Sequence, residues 1–239
     1  MGRACRDPRP ILPHGRSERA ANLGIGSGRY RGEVSAPPAP LVVGFDLDMT
    51  LIDTVPGFQS VLRALGVELG VEFPVELMTA ALGPPLDLML QPYLPASEIA
   101  AAGDRFRSLY PEHAVRSVPL LPGAAEAVDA VRDRGGRVLV VTGKYAPNAQ
   151  LHLDHLALDV DHLEGWVWGV GKADVLRREG AQIYVGDHVH DVEGALAADA
   201  LSVSVLTGGC TREELLAAGT HVVLEGLGDF PSWLAGWLD

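Results

Sequence analysis

Leu41-Val42-Val43-Gly44-Phe45-Asp46-Leu47-Asp48-Met49-Thr50 is the stretch whose reading decides the fold. Residues 41–45 are short, rich in β-formers and almost free of polar interruption, as a strand buried on both faces should be. Two aspartates follow, at 46 and 48, with a hydroxyl at Thr50. In a parallel α/β sheet, ligands sit just beyond the carboxyl ends of the strands. Two carboxylates delivered to that place call for a hard cation, a nucleophile, or both.

Further strand ends carry chemistry of the same kind. Residues 138–141 form an apolar run that stops at Thr142, Gly143 and Lys144, and residues 183–185 lead into Gly186-Asp187-His188-Val189-His190-Asp191. Between them stands Gly171-Lys172-Ala173-Asp174. Of the 19 Lys and Arg residues only two are lysine, Lys144 and Lys172, and both fall at these places. A lysine is a compact point charge suited to a tight anionic site where a planar guanidinium does not fit.

The order of elements predicts an α/β protein with a doubly wound parallel sheet. Residues 55–118 read as helical throughout, with Phe58, Val61, Leu62, Leu65 and Leu69 at three- and four-residue steps. Asp53 or Thr54, followed by Pro56, marks the start of the first helix. Beyond residue 121 helix and strand alternate: helices at 124–134, 147–156, 173–178, 192–198 and 213–218, and strands at 138–141, 165–170, 183–185, 202–206 and 221–224, with a closing helix. Alternation of this kind means parallel strands joined by right-handed crossovers. The division expected is residues 41–54 and 119–239 as the α/β core, residues 55–118 as an inserted helical domain, and residues 1–40 as an extension.

Residues 1–40 are different in kind. Seven arginines against three acidic residues give about +4, leaving near −16 for the rest of a chain whose net charge is −12. The segment is rich in Gly, Pro and Arg and ends Ala36-Pro37-Pro38-Ala39-Pro40, a composition that reads as disordered. It is either a basic interaction tail or the product of a mis-assigned translation start. Gly24-Ile25-Gly26-Ser27-Gly28 carries no nucleotide-loop meaning, because no strand precedes it and no helix follows. The acidic charge argues against nucleic acid and anionic membranes as partners, and no run reaches the ~18 apolar residues of a membrane span. Two cysteines, Cys5 and Cys210, form no framework, so a reducing cytoplasm is the simplest setting. A monomer and a homodimer are equally compatible with the sequence.

The four ordered motifs resemble those of the haloacid-dehalogenase-like (HAD) hydrolase superfamily, in its phosphoglycolate phosphatase-like branch with a helical cap. The resemblance covers residue 41 to the C-terminus. It implies a Rossmann-like core and a Mg²⁺-dependent phosphatase acting on a small phosphorylated metabolite. In that family the first aspartate, here Asp46, attacks phosphorus to form an aspartyl-phosphate, and the second, here Asp48, is general acid and then base. Asp48 would then need a raised pKa, which neighbouring carboxylates favour. Mg²⁺ would be held by Asp46, the backbone carbonyl of Asp48, Asp187 and Asp191, unless Asp191 serves only to cap the following helix. Thr142 and Lys172 complete the catalytic set, and Gly143, Lys144, Thr50 and Arg107 are the candidates for substrate binding.

Three departures stand against that pattern. Met49 occupies a position where the family commonly has glycine, Lys172 is followed by Ala-Asp rather than Pro-x-Pro, and His188 and His190 lie inside the last motif. The histidines read as two loop imidazoles near the metal. His152 and His155 are expected on a solvated helix face, and Trp166 and Trp168, alternating along residues 165–170, in the core. Leu82-Gly83-Pro84-Pro85-Leu86 resembles the cap loop that faces the site in the family, and Arg105, Arg107 and Tyr110 are the cap candidates for choosing the substrate, Arg107 by meeting a substrate carboxylate. A phosphomutase shares Asp46, Asp48 and the cap, and a non-catalytic metabolite- or phosphoprotein-binding module is the reading from another class.

Overall fold

The computed structural model describes residues 40–80 and 82–238; the expectations for residues 1–39, the glycine run among them, lie outside the described residues. Six strands form one parallel sheet in the order β3-β2-β1-β4-β5-β6. They are β1 (Val42–Phe45), β2 (Arg137–Val141), β3 (His162–Glu164), β4 (Ile183–Gly186), β5 (Leu201–Val205) and β6 (Val222–Leu224). The chain runs outward from β1 through β2 to β3, then returns across β1 to lay down β4. That reversal puts the topological switch point beside β1, where open α/β sheets bind ligands.

Alternate residues of the strands feed two cores. Val43, Phe45, Val140 and Val185 pack below the sheet against α5 (Ala124–Arg132), α6 (Ala146–His155) and α10 (Phe230–Leu238). Val42, Leu139, Val141 and Tyr184 pack above it against α7 (Lys172–Glu179) and α8 (Val189–Ala197). Cover on both faces is the reason β1 reads as an unbroken apolar run. The remaining core helix, α9 (Arg212–Ala218), begins with Thr211 as N-cap, whose hydroxyl accepts from the Glu214 amide at 3.2 Å. No helix among the described residues is long and apolar enough to cross a membrane.

Between β1 and α5 lie four helices, α1 (Val55–Leu69), α2 (Val75–Thr79), α3 (Leu86–Leu90) and α4 (Ile99–His113). They bury a separate cluster that includes Phe58, Leu62, Leu65, Phe106 and Tyr110. Thr54 is the N-cap of α1, yet its hydroxyl makes no cap bond; it donates to Asp48 Oδ1 instead. Asp53 takes up the turn by accepting from the Val55 amide at 3.1 Å.

One expected strand is misplaced. Residues 165–170 do not form it; β3 is His162–Glu164, and Gly169–Gly171 is a 3-10 turn. Trp166 adopts φ +59, a left-handed conformation that breaks the two-residue alternation. Both tryptophans therefore leave the core, Trp166 at 63% and Trp168 at 37% exposure.

Gly123, the N-cap of α5, sits at φ +84, and a Cβ there would lie 2.2 Å from the Gly228 amide nitrogen. Both the handedness and the backbone contact penalise a side chain. Gly123→Ala is expected to cost about 3 kcal/mol and to lower Tm by roughly 6–12 °C; an unchanged melting curve would show that the turn can relax.

Candidate active site

The register of the sheet assembles the site. Phe45 is level with Val140 on one side and Val185 on the other, so Asp46, Thr142 and Asp187 emerge together at the carboxyl edge. Asp191 enters from the first turn of α8 and Lys172 from the first residue of α7. Asp46, Thr142, Lys172, Asp187 and Asp191 are all buried.

Lys172 Nζ lies 3.1 Å from Asp46 Oδ1 and 2.5 Å from Asp191 Oδ1, and donates to the Tyr184 hydroxyl at 2.8 Å. Tyr184 passes its own proton to the Val141 carbonyl at 2.6 Å. Asp191 caps the following helix without being confined to that role. Its Oδ2 accepts from the His188 amide at 3.1 Å, completing a capping box for α8, while Oδ1 faces Lys172.

Carboxylate oxygens of Asp46, Asp187 and Asp191 lie within 4.8 Å of one another. Burial, reinforced by Asp191 and Asp48, pushes Asp46 up to about 7 despite Lys172. Burial also raises Asp187 well above the carboxylate range, with Asp191 and Asp46 adding to it. With all three ionised, three carboxylates against one ammonium would leave two negative charges, which a divalent cation would balance. The donors are all oxygen, so the cluster suits a hard ion such as Mg²⁺. His188 and His190 are not part of this cluster. Thr50, expected to touch substrate, is fully buried and donates from its hydroxyl to Asp187 Oδ1 at 2.9 Å. It holds a carboxylate in place rather than lining the cavity.

Asp48 has a partner of its own. Lys144 Nζ lies 2.7 Å from Asp48 Oδ1, and Thr54 donates to the same oxygen. Burial pushes this carboxyl up, but Lys144 and Thr54 outweigh it and hold Asp48 below its usual value. The raised pKa expected for Asp48 belongs instead to Asp46 and Asp187, because neither of those has a cation to itself.

His152 is the residue whose place the sequence reading missed. It is fully buried, not solvated, while His155 is exposed as expected. Its Nε2 pairs with the Tyr110 hydroxyl at 3.0 Å, joining α6 of the core to α4 of the cap. Lys144 Nζ lies 4.6 Å from the centre of the Tyr110 ring. The pattern that could have shown it is Ala149, His152 and Leu153, which share one helix face with two apolar members.

A cavity of about 460 Å³ opens above Asp46 between core and cap. Asp46, Asp48, Thr142, Gly143, Lys144, Lys172 and Arg107 line it, as do Gly83, Trp166 and Trp168. The Trp168 indole donates to the Gly83 carbonyl at 3.1 Å. A Cβ on Gly83 would approach the His188 ring to 2.8 Å, so the cap loop rests against the last motif.

The haloacid dehalogenase-like hydrolase family profile matches residues 43–196, and a HAD-hydrolase-like profile matches residues 173–230. The chain belongs to the haloacid dehalogenase-like hydrolase family. It is 29% identical over 194 residues to the tyrosine-protein kinase PtkA of Mycobacterium tuberculosis, a match covering 74% of this chain. The chain spans 66% of that relative's length. It is 27% identical to the phosphoglycolate phosphatase of Caulobacter vibrioides over 79% of this chain and 88% of the relative. Among solved structures, a haloacid dehalogenase-like hydrolase from Streptococcus pneumoniae superposes with TM-score 0.72 at 20% identity. That superposition covers 84% of this chain and 99% of the other. This HAD chain therefore shares the core fold of its relatives.

Burial, with Lys144 nearby, lowers His152 from 6.5 to about 4. The unfolded chain takes up that proton near pH 6.5 and the native protein only near 4. Stability tied to this residue is full above 6.5 and falls as pH drops toward 4, by up to about 1.4 kcal/mol per pH unit. NMR should find an imidazole that does not titrate between pH 8 and 5; a midpoint near 6.5 would contradict the burial. Tyr110→Phe strips His152 of its partner, because Nδ1 already has none. The expected loss is about 1–3 kcal/mol in denaturant unfolding, and an unaltered midpoint would argue that the pair contributes nothing.

Proposed function

We propose that this protein is a Mg²⁺-dependent phosphatase of small phosphorylated metabolites, working through an aspartyl-phosphate on Asp46. The observation that carries the reading is the pairing of two differently supported aspartates under one cavity. Asp46 sits in the carboxylate cluster with Lys172 alongside, and Asp48 is paired with Lys144. The relatives' names divide between a kinase and a phosphatase, so names alone do not choose the reaction. Phosphoglycolate, which the Caulobacter relative's name specifies, is the first compound to assay.

A phosphoryl group above Asp46 meets the Thr142 hydroxyl and the Gly143 amide on one side and Lys172 on the other. An Asp46 carboxylate oxygen forms a bond to phosphorus as the bond from phosphorus to the alcohol oxygen breaks. Asp48 gives its proton to the departing alkoxide. A water then attacks the phosphorus, losing its proton to Asp48, and inorganic phosphate leaves with the Asp46 carboxylate restored. Splitting one displacement into two lowers each barrier.

Lys144 holds Asp48 below its usual value and so favours the ionised form, which is the wrong state for an acid. An incoming phosphate dianion competes for Lys144 and adds like charge beside Asp48, and both effects raise its pKa. When bound by Asp46, the Asp48 carbonyl, Asp187 and Asp191, Mg²⁺ supplies the positive charge that lets a carboxylate approach an anionic phosphate.

The test is free-phosphate release from a panel of phosphorylated metabolites with Mg²⁺, using Asp46→Asn as the control. Release that falls by a factor on the order of 10³ or more in the variant is expected. Silence across the panel, or an active Asp46→Asn protein, would overturn the reading. Mg²⁺ without substrate should also raise Tm, since at 100 times Kd binding adds about 2.7 kcal/mol. Asp187→Asn should remove most of that gain.

A further inference from the structure

The chemistry above uses only the inner end of the cavity. Its volume of about 460 Å³ is far more than a phosphoryl group and a two-carbon alcohol fill, and falls in the range of sites for larger ligands. Met49, Phe58, Leu82, Tyr145, Trp166 and Trp168 supply apolar and aromatic lining. Tyr145 and Trp166 pack with ring centres 5.0 Å apart, and Trp168 lies 4.0 Å from His190. Trp166 keeps a left-handed backbone there, a conformation unfavourable for a residue with a Cβ.

Each cation lining the cavity is already engaged by carboxylates. The Lys and Arg side chains lining the cavity, among the described residues, are Lys144, Lys172 and Arg107. The two lysines are engaged by Asp48 and by Asp46 with Asp191. Arg107, on the cap, is bracketed by Asp104 at 2.9 Å and Asp87 at 3.2 Å, and its guanidinium lies 5.2 Å from the Trp166 ring centre. Two carboxylates for one guanidinium leave the cap end negative. A substrate carboxylate would be repelled there, so the role expected of Arg107 in meeting one is not supported by its surroundings.

We infer that the substrate is a phosphomonoester whose leaving alcohol carries an uncharged aromatic ring, seated against Trp166 and Trp168. This rests on the phosphatase reading and sharpens it. Arg107, neutralised by its two carboxylates, stiffens Trp166 from one side, and the Trp168–Gly83 hydrogen bond fixes the second indole against the cap loop. A ring in contact with an indole gains about 0.5–1.5 kcal/mol beyond the area it buries, which is a factor of roughly two to ten in kcat/KM.

The experiment compares phosphate release, with Mg²⁺ and the full chain, from 2-phenylethyl phosphate, ethyl phosphate, phosphoglycolate and phosphocholine. All four are esters of alkyl alcohols, which removes the advantage an aryl phosphate gains from its better leaving group. 2-Phenylethyl phosphate should exceed the other three at least tenfold in kcat/KM, chiefly through KM. Trp166→Ala and Trp168→Ala should each lower the phenylethyl-to-ethyl ratio by about three- to tenfold. Both indoles are partly exposed, and unchanged circular dichroism would verify that the variants fold. Preference for phosphoglycolate would overturn the inference, as would preference for phosphocholine, which would mark the wall as a cation cage. A ratio that neither substitution moves would overturn it equally. Silence on all four esters sinks the phosphatase reading itself. Calorimetric titration of the wild-type protein with 2-phenylethyl and ethyl phosphate then judges the ring alone, and equal affinities would reject it.

Discussion

The buried Lys172 ammonium is the interaction on which the site depends. Taking an ion of this size out of water costs several kcal/mol, and only close partners on every side repay it. Asp191, Asp46 and Tyr184 surround it at 2.5, 3.1 and 2.8 Å. Burial works against its charge, yet the two carboxylates raise its pKa well above the ordinary value. Each partner comes from a different element, so the lysine holds the ends of β1 and β4 and the starts of α7 and α8 in one arrangement. Two glycines make room for it. A Cβ on Gly44 would come within 2.9 Å of the Tyr184 ring, and one on Gly186 within 2.4 Å of Asp191. The apolar strand read first in the sequence thus carries its one glycine because a tyrosine must pass over it to reach Lys172.

The two lysines divide the carboxylates unequally, and that inequality sets the electrostatics. Lys144 serves Asp48 alone, with Thr54 adding a hydrogen bond, so Asp48 is ionised. Lys172 is shared among a cluster of three, so burial prevails and raises the pKa values of Asp46 and Asp187. In the proposed reaction the nucleophile has to be unprotonated and the acid protonated, and both shifts run the other way. On that reading, a cation held by the cluster and a dianion beside Lys144 would reverse them. Opposed shifts of this kind are the arrangement expected where pKa values are tuned by neighbours.

The parallel sheet was legible because its signal is local. A continuous apolar run ending in Asp46, and the alternation of helix and strand after residue 121, leave few topologies open. The four motifs were legible as well, since each stands at a strand end or a helix start. What the sequence did not disclose depends on partners far along the chain. Thr50 was assigned to substrate because its hydroxyl follows Asp48, but the fold turns it under Asp187, 137 residues away. His152 and His155, one turn apart and lacking a third ligand, read together as a solvated face; docking of α4 buries the first and leaves the second outside. Asp48 was assigned a raised pKa from its carboxylate neighbours, and the lysine that reverses the sign arrives from residue 144. In each case the residue type was read correctly and its company was not.

Backbone strain gathers at the same place. Among the described residues, four non-glycine residues have positive φ, namely Met49, Ala157, Trp166 and Asp199, and two of them, Met49 and Trp166, line the cavity. Met49 takes the left-handed turn that a glycine would take without cost, held by a Thr207 hydroxyl donating to its carbonyl at 2.6 Å and by its own amide donating to Ile52 at 2.9 Å. Trp166 does the same where a strand would otherwise have continued and buried it. A sequence optimised only for stability would place glycine at both positions. Glycine would remove the strain and also the two side chains, and the cavity wall would lose a thioether and an indole. The strain is retained together with the rings and sulfur it displays, as local violations of propensity are where a site is built. The strand expected at 165–170 failed to form for the same reason that Trp166 has access to the cavity.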